Sequence, residues 1–361
     1  MFDHAYAVVL AGGYGERFWP ASTMTKPKQL LSLLGDRTML EMAVDRLQGL
    51  IPPERVLVLT SADLVAATIE CSPDLPAANV IGEPVRRDTA AAVALACAVI
   101  RARDPLGVFC VVTADHVMGD LDVFRQTLHD GLALAASSEV LVTIGIKPDR
   151  PSTAFGYVEA IEPVRSEGEI PFRKVSRFVE KPDEDTARRY LESGNFSWNS
   201  GMFIWSVGSL SAAFETHAPA LGVMIQALLP FVDTDEFADA ILEQFEPLER
   251  ISIDYALMEK ADNIVMAEGR FAWDDVGSWP EVAGHLGADA DGNTIVGAAE
   301  LLDATNNIVF SQGRLTAMIG VDDLVVVHTD HATLICPKDR AQDVKKIVTS
   351  LRDSGRWDHL L

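Results

Sequence analysis

Short, almost wholly apolar runs alternate with longer stretches of mixed polarity through the first 150 residues. The runs at Ala5–Leu10, 56–59, 108–113 and 140–146 lack the polar alternation of a half-exposed strand, so they predict strands buried on both faces. Between them, 38–47, 89–103 and 121–136 read as helices. Strand and helix alternating at this interval predict an α/β fold built on a mostly parallel, Rossmann-like sheet covered by helices on both faces. Ligands of such sheets collect at the carboxyl ends of the strands.

From 151 to 277 the pattern is mixed. Strands are predicted at 155–161, 175–179 and 202–206, completing the same sheet, with several helices after them. Beyond 284 the chain changes character, because short β-prone pieces at Thr294–Val296, 308–310, 324–327 and 333–335 are separated by Gly, Asn and Asp turns. We therefore expect a domain over 1–283 and a small C-terminal β domain over 284–361, closed by an amphipathic helix at 339–352. A short β-helix is one form that domain can take, although no clean repeat period is visible.

The apolar run at the N-terminus empties into Leu10-Ala11-Gly12-Gly13-Tyr14-Gly15-Glu16-Arg17-Phe18-Trp19-Pro20, followed by Lys26-Pro27-Lys28-Gln29. Glycines at 12, 13 and 15 present no Cβ to a close ligand, and backbone N–H groups of such a loop can point at phosphate oxygens. Arg17 and Lys28 add full positive charges nearby. A tight structural turn needs the same glycines, so the loop alone is a weak signal. It is not a dinucleotide fingerprint, since the position required for the third glycine holds Phe18, and no Gly-Lys-Ser/Thr follows to make a P-loop.

Charge sharpens the picture. Among 361 residues, 30 basic against 53 acidic side chains give a net charge of −23, which repels a nucleic-acid backbone. A chain this acidic that handles anionic substrates has to concentrate its cations locally or borrow a metal. The four cysteines (Cys71, Cys97, Cys110 and Cys336) form no metal-ligand or redox spacing and read as reduced, buried thiols. No apolar run approaches 18 residues and no basic stretch leads an apolar one at the N-terminus, so we expect a cytoplasmic protein without membrane or nucleic-acid partners.

The motif Gly-Gly-x-Gly-x-Arg-x-Trp-Pro with its downstream Pro-Lys-Gln resembles the sugar-nucleotide pyrophosphorylases, and within them the branch that uses mannose 1-phosphate. The resemblance runs from about Ala7 to Trp279 and loosens after 284. We expect the chain to lack the isomerase domain that longer bifunctional relatives add. It implies a nucleotidyltransferase fold of GT-A-like type and an enzyme that moves GMP from GTP to α-D-mannose 1-phosphate. A homodimer is compatible with it.

The resemblance also implies a Mg²⁺ ion on Asp115, which ends the strand-like Val111-Val112-Thr113-Ala114-Asp115, and Asp275, in Trp273-Asp274-Asp275-Val276-Gly277. Taken singly, each aspartate suits a turn or cap equally well, and Asp274 reads as a solvated neighbour. Arg17, Lys28, Asp115 and Asp275 are the catalytic candidates. Nucleotide contacts are expected from Leu10, Ala11, Gly12, Gly13, Gly15, Glu83, Arg87 and Thr89. Glu83 can accept the adjacent N1–H and N2–H donors of guanine, while Asp88 and Thr89 also suit capping of the alanine-rich helix that follows. Asp88 and Ala91 depart from the family pattern.

Gly156, Glu180, Lys181 and Asn199, in Phe155-Gly156-Tyr157, Glu180-Lys181-Pro182 and Trp198-Asn199-Ser200-Gly201, are expected on the sugar phosphate, with Ala154 and Phe155 as departures. Ile251 to Tyr255 and Glu259-Lys260 read as structural. Two rival readings remain: glucose 1-phosphate with thymidine or uridine triphosphate, and a non-catalytic regulator that binds GDP-mannose.

Overall fold

The computed structural model describes residues 3–361, which group into two compact units that interleave along the chain. One comprises residues 3–11, Ala43–Ala114 and Met118–Trp273; the other comprises Gly12–Met42, Asp115–Val117 and Asp274–Leu361.

The first unit is organised by a nine-stranded sheet. Its strands are β1 (Ala5–Leu10), β2 (Val56–Ser61), β3 (Val80–Glu83), β4 (Val108–Thr113), β5 (Leu141–Ile146), β6 (Tyr157–Val164), β7 (Phe172–Val179), β8 (Phe196–Ser206) and β9 (Ile264–Gly269), in the order β3-β2-β1-β4-β8-β5-β9-β7-β6. The block β3-β2-β1-β4 is parallel, as is the β5–β9 pair. The sheet as a whole is mixed, because β8 enters antiparallel between β4 and β5, and β6 and β7 pair antiparallel at the far edge.

The parallel strands are buried on both faces, as continuous apolar runs require. The helix Asp88–Arg103 is embedded: every residue from Ala90 to Ile100 is buried, which explains why its sequence shows no polar face. Cys97 and Cys110 lie in this interior and burial pushes both thiols up to about 12, whereas Cys71 and Cys336 are only half-buried, contrary to the expectation for all four. No helix among the described residues is long and apolar enough to cross a membrane.

The second unit contains the glycine loop and, from Thr294, a parallel β-helix. β10 (Thr294–Val296), β12 (Ile308–Ser311) and β14 (Leu324–His328) stack in parallel, β11 (Ala299–Leu302) stacks on β13 (Thr316–Ile319), and β15 (Thr333–Pro337) closes the end antiparallel. The register pairs Thr294 with Ile308 and Ile308 with Val325, so successive coils advance 14 and then 17 residues. That inequality hides the period from the sequence. A buried asparagine ladder spans the coils: the Asn307 backbone N–H donates to Asn293 Oδ1 at 2.9 Å, and the Leu324 N–H to Asn307 Oδ1 at 3.0 Å.

The helix Val344–Ser354 follows. Its Val344 and Val348 join one hydrophobic core with Phe18, Trp19, Leu31, Trp279, Phe310 and Val325. Phe18 meets Trp279 edge-on at 5.3 Å between centroids, and Trp279 meets Phe310 at 5.1 Å, so aromatic packing runs from the glycine loop into the β-helix.

Candidate functional site

Within the second unit, the loop after β1 reaches Gly15 at φ +64 and turns into the short 3-10 helix Glu16–Phe18. Gly15 is required by the protein itself, since a Cβ there would run into the Cβ of Lys28. Gly13 is different: a Cβ would meet nothing within 4 Å, so packing does not explain the residue. Gly12, Gly13 and Arg17 are exposed. Arg17 gives one contact to the Gly277 carbonyl at 3.4 Å, which leaves the other donors of its guanidinium fork uncommitted among the described residues.

Lys28 is buried, at 3% exposure, over the ring of Phe18. Its amine donates to Asp115 Oδ2 at 3.0 Å and to the Asp275 carbonyl at 2.7 Å, tying both predicted aspartates to one cation. Burial works against the Asp115 carboxylate, but Lys28 and His116 more than offset it and hold the carboxyl below its usual range.

Asp275 goes the other way. Burial first, then the Glu281 carboxylate, push it up to about 6 against the pull of Lys28. Carboxylate oxygens of Asp274, Asp275 and Glu281 lie within 4.8 Å of one another. Val276, between them and Gly277, is a buried β-branched residue at φ +46, a strained conformation kept by burial and by its N–H bond to Asp274 Oδ1 at 2.7 Å. Asp274 is not the solvated neighbour the sequence suggested, since its other oxygen meets His285 Nε2 at 2.8 Å. Crowded hard oxygens with one carboxyl forced toward its neutral form are what a divalent cation relieves, and the donor set fits Mg²⁺.

The first unit gathers Gly156, Glu180, Lys181 and Asn199 around a residue that sequence reasoning set aside, Asp254. Asn199 lies on β8, where its amide donates to Asp254 Oδ1 at 2.9 Å and its oxygen accepts from Thr143 Oγ1 at 3.2 Å. Asp254 opens a π-helical turn, Asp254–Met258. Burial, followed by the Glu180 carboxylate, pushes its carboxyl up to about 6. Lys181, at φ +46, forms an ion pair with Glu180; burial opposes its charge, but Glu180 more than offsets this and holds the amine above its ordinary value. A Cβ on Gly156 would strike Glu180 Oε2, so the glycine is needed for the carboxylate to stand where it does. The Phe155 ring packs edge-on against Trp198 and Trp273 at 5.0 and 5.1 Å, forming an aromatic wall.

The base-side candidates belong to the first unit as well. Leu10 and Ala11 sit at the end of β1, where the Ala11 carbonyl accepts from Thr60 Oγ1 at 3.1 Å. Glu83 ends β3 half-buried, and burial pushes its carboxyl up to about 7 against the pull of Arg86. The Arg87 guanidinium binds the carbonyls of Phe245 and Glu246, and Thr89 Oγ1 accepts from the Ile253 N–H at 2.9 Å. No side chain caps the helix at Asp88; instead Asp88, at φ +66, accepts from the adjacent Thr89 N–H. Asp254 and Glu281 are the additional candidates: the first lies in the stretch Ile251 to Tyr255, which reads as structural from the sequence alone, and the second stands in no pattern that marks it.

The chain is similar to several known proteins. The nucleotidyl transferase family matches residues 6–285, and the MannoseP isomerase/GMP-like beta-helix domain matches residues 297–351. The chain is 36% identical to the mannose-1-phosphate guanylyltransferase of Escherichia coli (strain K12), over 98% of this chain and 75% of that protein. It is 34% identical to the alginate biosynthesis protein AlgA of Pseudomonas aeruginosa, over 97% and 72%. Among solved structures, the crystal structure of a mannose-1-phosphate geranyltransferase from Thermus thermophilus matches with a TM-score of 0.85 at 34% identity, covering 97% of this chain and 99% of that one.

Proposed function

The chain belongs to the mannose-1-phosphate guanylyltransferases of the nucleotidyl transferase family, and from that premise we propose that it makes GDP-mannose and pyrophosphate from GTP and α-D-mannose 1-phosphate. A phosphate oxygen of the sugar forms a bond to the α-phosphorus of GTP, and the bond from that phosphorus to the oxygen bridging the β-phosphate breaks, releasing pyrophosphate. No protein nucleophile is needed, so the work is positioning and charge neutralisation.

The observation that carries this reading is the convergence of Arg17, Lys28, Asp115 and Asp275 on one cluster in a chain of net charge −23. Two unit charges 4 Å apart repel by about 4 kcal/mol at an effective dielectric near 20, so uncompensated polyanions would not meet. Arg17 is assigned to the departing pyrophosphate. Lys28 keeps Asp115 ionised and fixes the Asp275 backbone. Asp115 and Asp275, with Asp274 and Glu281 around the latter, would hold Mg²⁺, which supplies positive charge to the phosphate oxygens when bound. On the sugar side, Asn199, Glu180 and Asp254 offer acceptors and donors to hexose hydroxyls, and Lys181 receives the incoming phosphate. Glu83 is assigned to the guanine N–H donors.

The test is a substrate panel read by pyrophosphate release. Mannose 1-phosphate with GTP is expected to be the preferred pair, and chelation of divalent metal is expected to reduce release to background. Preference for glucose 1-phosphate with dTTP or UTP would move the specificity to the rival branch. GDP-mannose binding without any release in Mg²⁺ would make the chain a regulator.

A second expected result concerns Gly156→Ala. Displacing the Glu180 carboxylate should lower kcat/KM for mannose 1-phosphate by roughly ten- to a hundredfold, the scale of an ångström-sized misplacement. The KM for GTP should stay near that of the wild type. Steady-state kinetics with each substrate varied in turn checks it.

A further inference from the structure

Glu16 puts a carboxylate beside Arg17 in the glycine loop, where a polyanion would be repelled by it. The structure does not leave that charge free. Arg352, in the helix Val344–Ser354, donates to Glu16 Oε1 at 2.8 Å, and Lys345, near the start of the same helix, lies 4.0 Å from Glu16 Oε2. Two further contacts tie the same places together. The Trp19 indole N–H donates to the Leu360 carbonyl at 2.9 Å, and Val348 and Leu361 pack in the core that holds Phe18 and Trp19.

We propose that Arg352, assisted by Lys345, is a positioning residue for the triphosphate cradle: the C-terminal helix neutralises Glu16 and uses it as a tether that sets where Arg17 stands. This inference rests on the reading of the cradle as the GTP site. Glu16 turns from a repelling group into an anchor only while the helix is docked. The loop's own bonds, Phe18 N–H and Ser22 Oγ to the Gly15 carbonyl at 2.8 and 2.6 Å, fix the backbone of the turn, and the tether to Arg352 acts on the Glu16 side chain beyond them.

The test compares Arg352→Ala, Arg352→Lys, Arg352→Glu and the exchange E16R/R352E in the full chain, by steady-state kinetics and thermal unfolding. Arg352→Ala should raise the KM for GTP about fivefold, the scale of one partly exposed ion pair, with the KM for mannose 1-phosphate unchanged. Arg352→Glu should raise it further, Arg352→Lys should recover most of the loss, and the exchange should recover part of it. Equal losses for both substrates, or a loss that tracks the melting temperature across the four variants, would reduce the contact to ordinary stability and overturn the proposal. So would a GTP KM that none of the variants moves. Silence of the wild type with GTP would instead refute the reading of the cradle, so the two failures are distinguishable.

Discussion

Asp275→Asn is expected to cut turnover of GTP and mannose 1-phosphate by on the order of a hundred- to a thousandfold, the scale of losing one preorganised stabiliser of developing charge, while leaving the fold intact. The second half of that expectation follows from electrostatics. Burial and the Glu281 carboxylate raise this carboxyl to about 6 in the folded chain, above the value of about 4 it has when unfolded. Between those values the folded state binds a proton that the unfolded chain has already released. Stability from this residue therefore falls as pH rises through the window from about 4 to 6, and above it the ionised carboxylate is a net cost.

Asparagine removes that slope. Without divalent metal at pH 7, the variant should melt at or above the wild-type temperature, and the wild type alone should gain melting temperature on addition of Mg²⁺, more at pH 7 than at pH 5. Thermal unfolding at both pH values with and without the ion, beside pyrophosphate release, makes the comparison. Near-normal turnover would remove Asp275 from the chemistry, and a variant that melts well below the wild type without metal would refute the charge argument.

Lys28→Met should act on both stability and rate. The amine is buried against Asp115 and the Asp275 carbonyl, so methionine keeps the volume while deleting the cation. Breaking one partner of a buried pair costs about 3–5 kcal/mol, and because the Asp115 side chain is 36% exposed we expect the lower end of that range. The stability that Asp115 draws from its lowered pKa is present above its unfolded value near 4 and is lost as pH falls through the folded value. In Lys28→Met that acid-side loss should disappear. The double variant K28M/D115N removes the orphaned charge and should be more stable than Lys28→Met alone, although inactive. Denaturant unfolding of the three proteins at neutral pH measures this, and a double variant no more stable than the single one would show that the pair is not coupled as described.

The sequence is most informative where a local rule has a single physical reading. Gly12, Gly13 and Gly15 point to a phosphate loop only in combination with Arg17 and Lys28 downstream, since a tight turn needs the same glycines, whereas the buried strands β1, β2, β4 and β5 are legible as unbroken apolar runs. Direction is not written in polarity. An apolar strand has the same composition whichever way it runs, so the antiparallel insertion of β8, which brings Asn199 to Thr143 and Asp254, could not be read. Asp254 reads as structural with the rest of Ile251 to Tyr255 because its place beside Asn199 is set by a π-helical turn and a distant strand. Glu281 escaped because an acid in the first turn of a short helix is ordinary. The β-helix was recognisable as β-prone pieces between turns, but coils of unequal length leave no period to detect.

The continuous aromatic packing from Phe18 through Trp279 to Phe310 bears on how this architecture can be recombined. The stretch Gly12–Met42 and the coils beyond Thr294 fill a common interior, so they do not behave as interchangeable cassettes. A chimera that grafts a foreign terminal solenoid onto this chain has to import the matching anchor of the N-terminal loop with it, and drift on either side is constrained by volumes on the other.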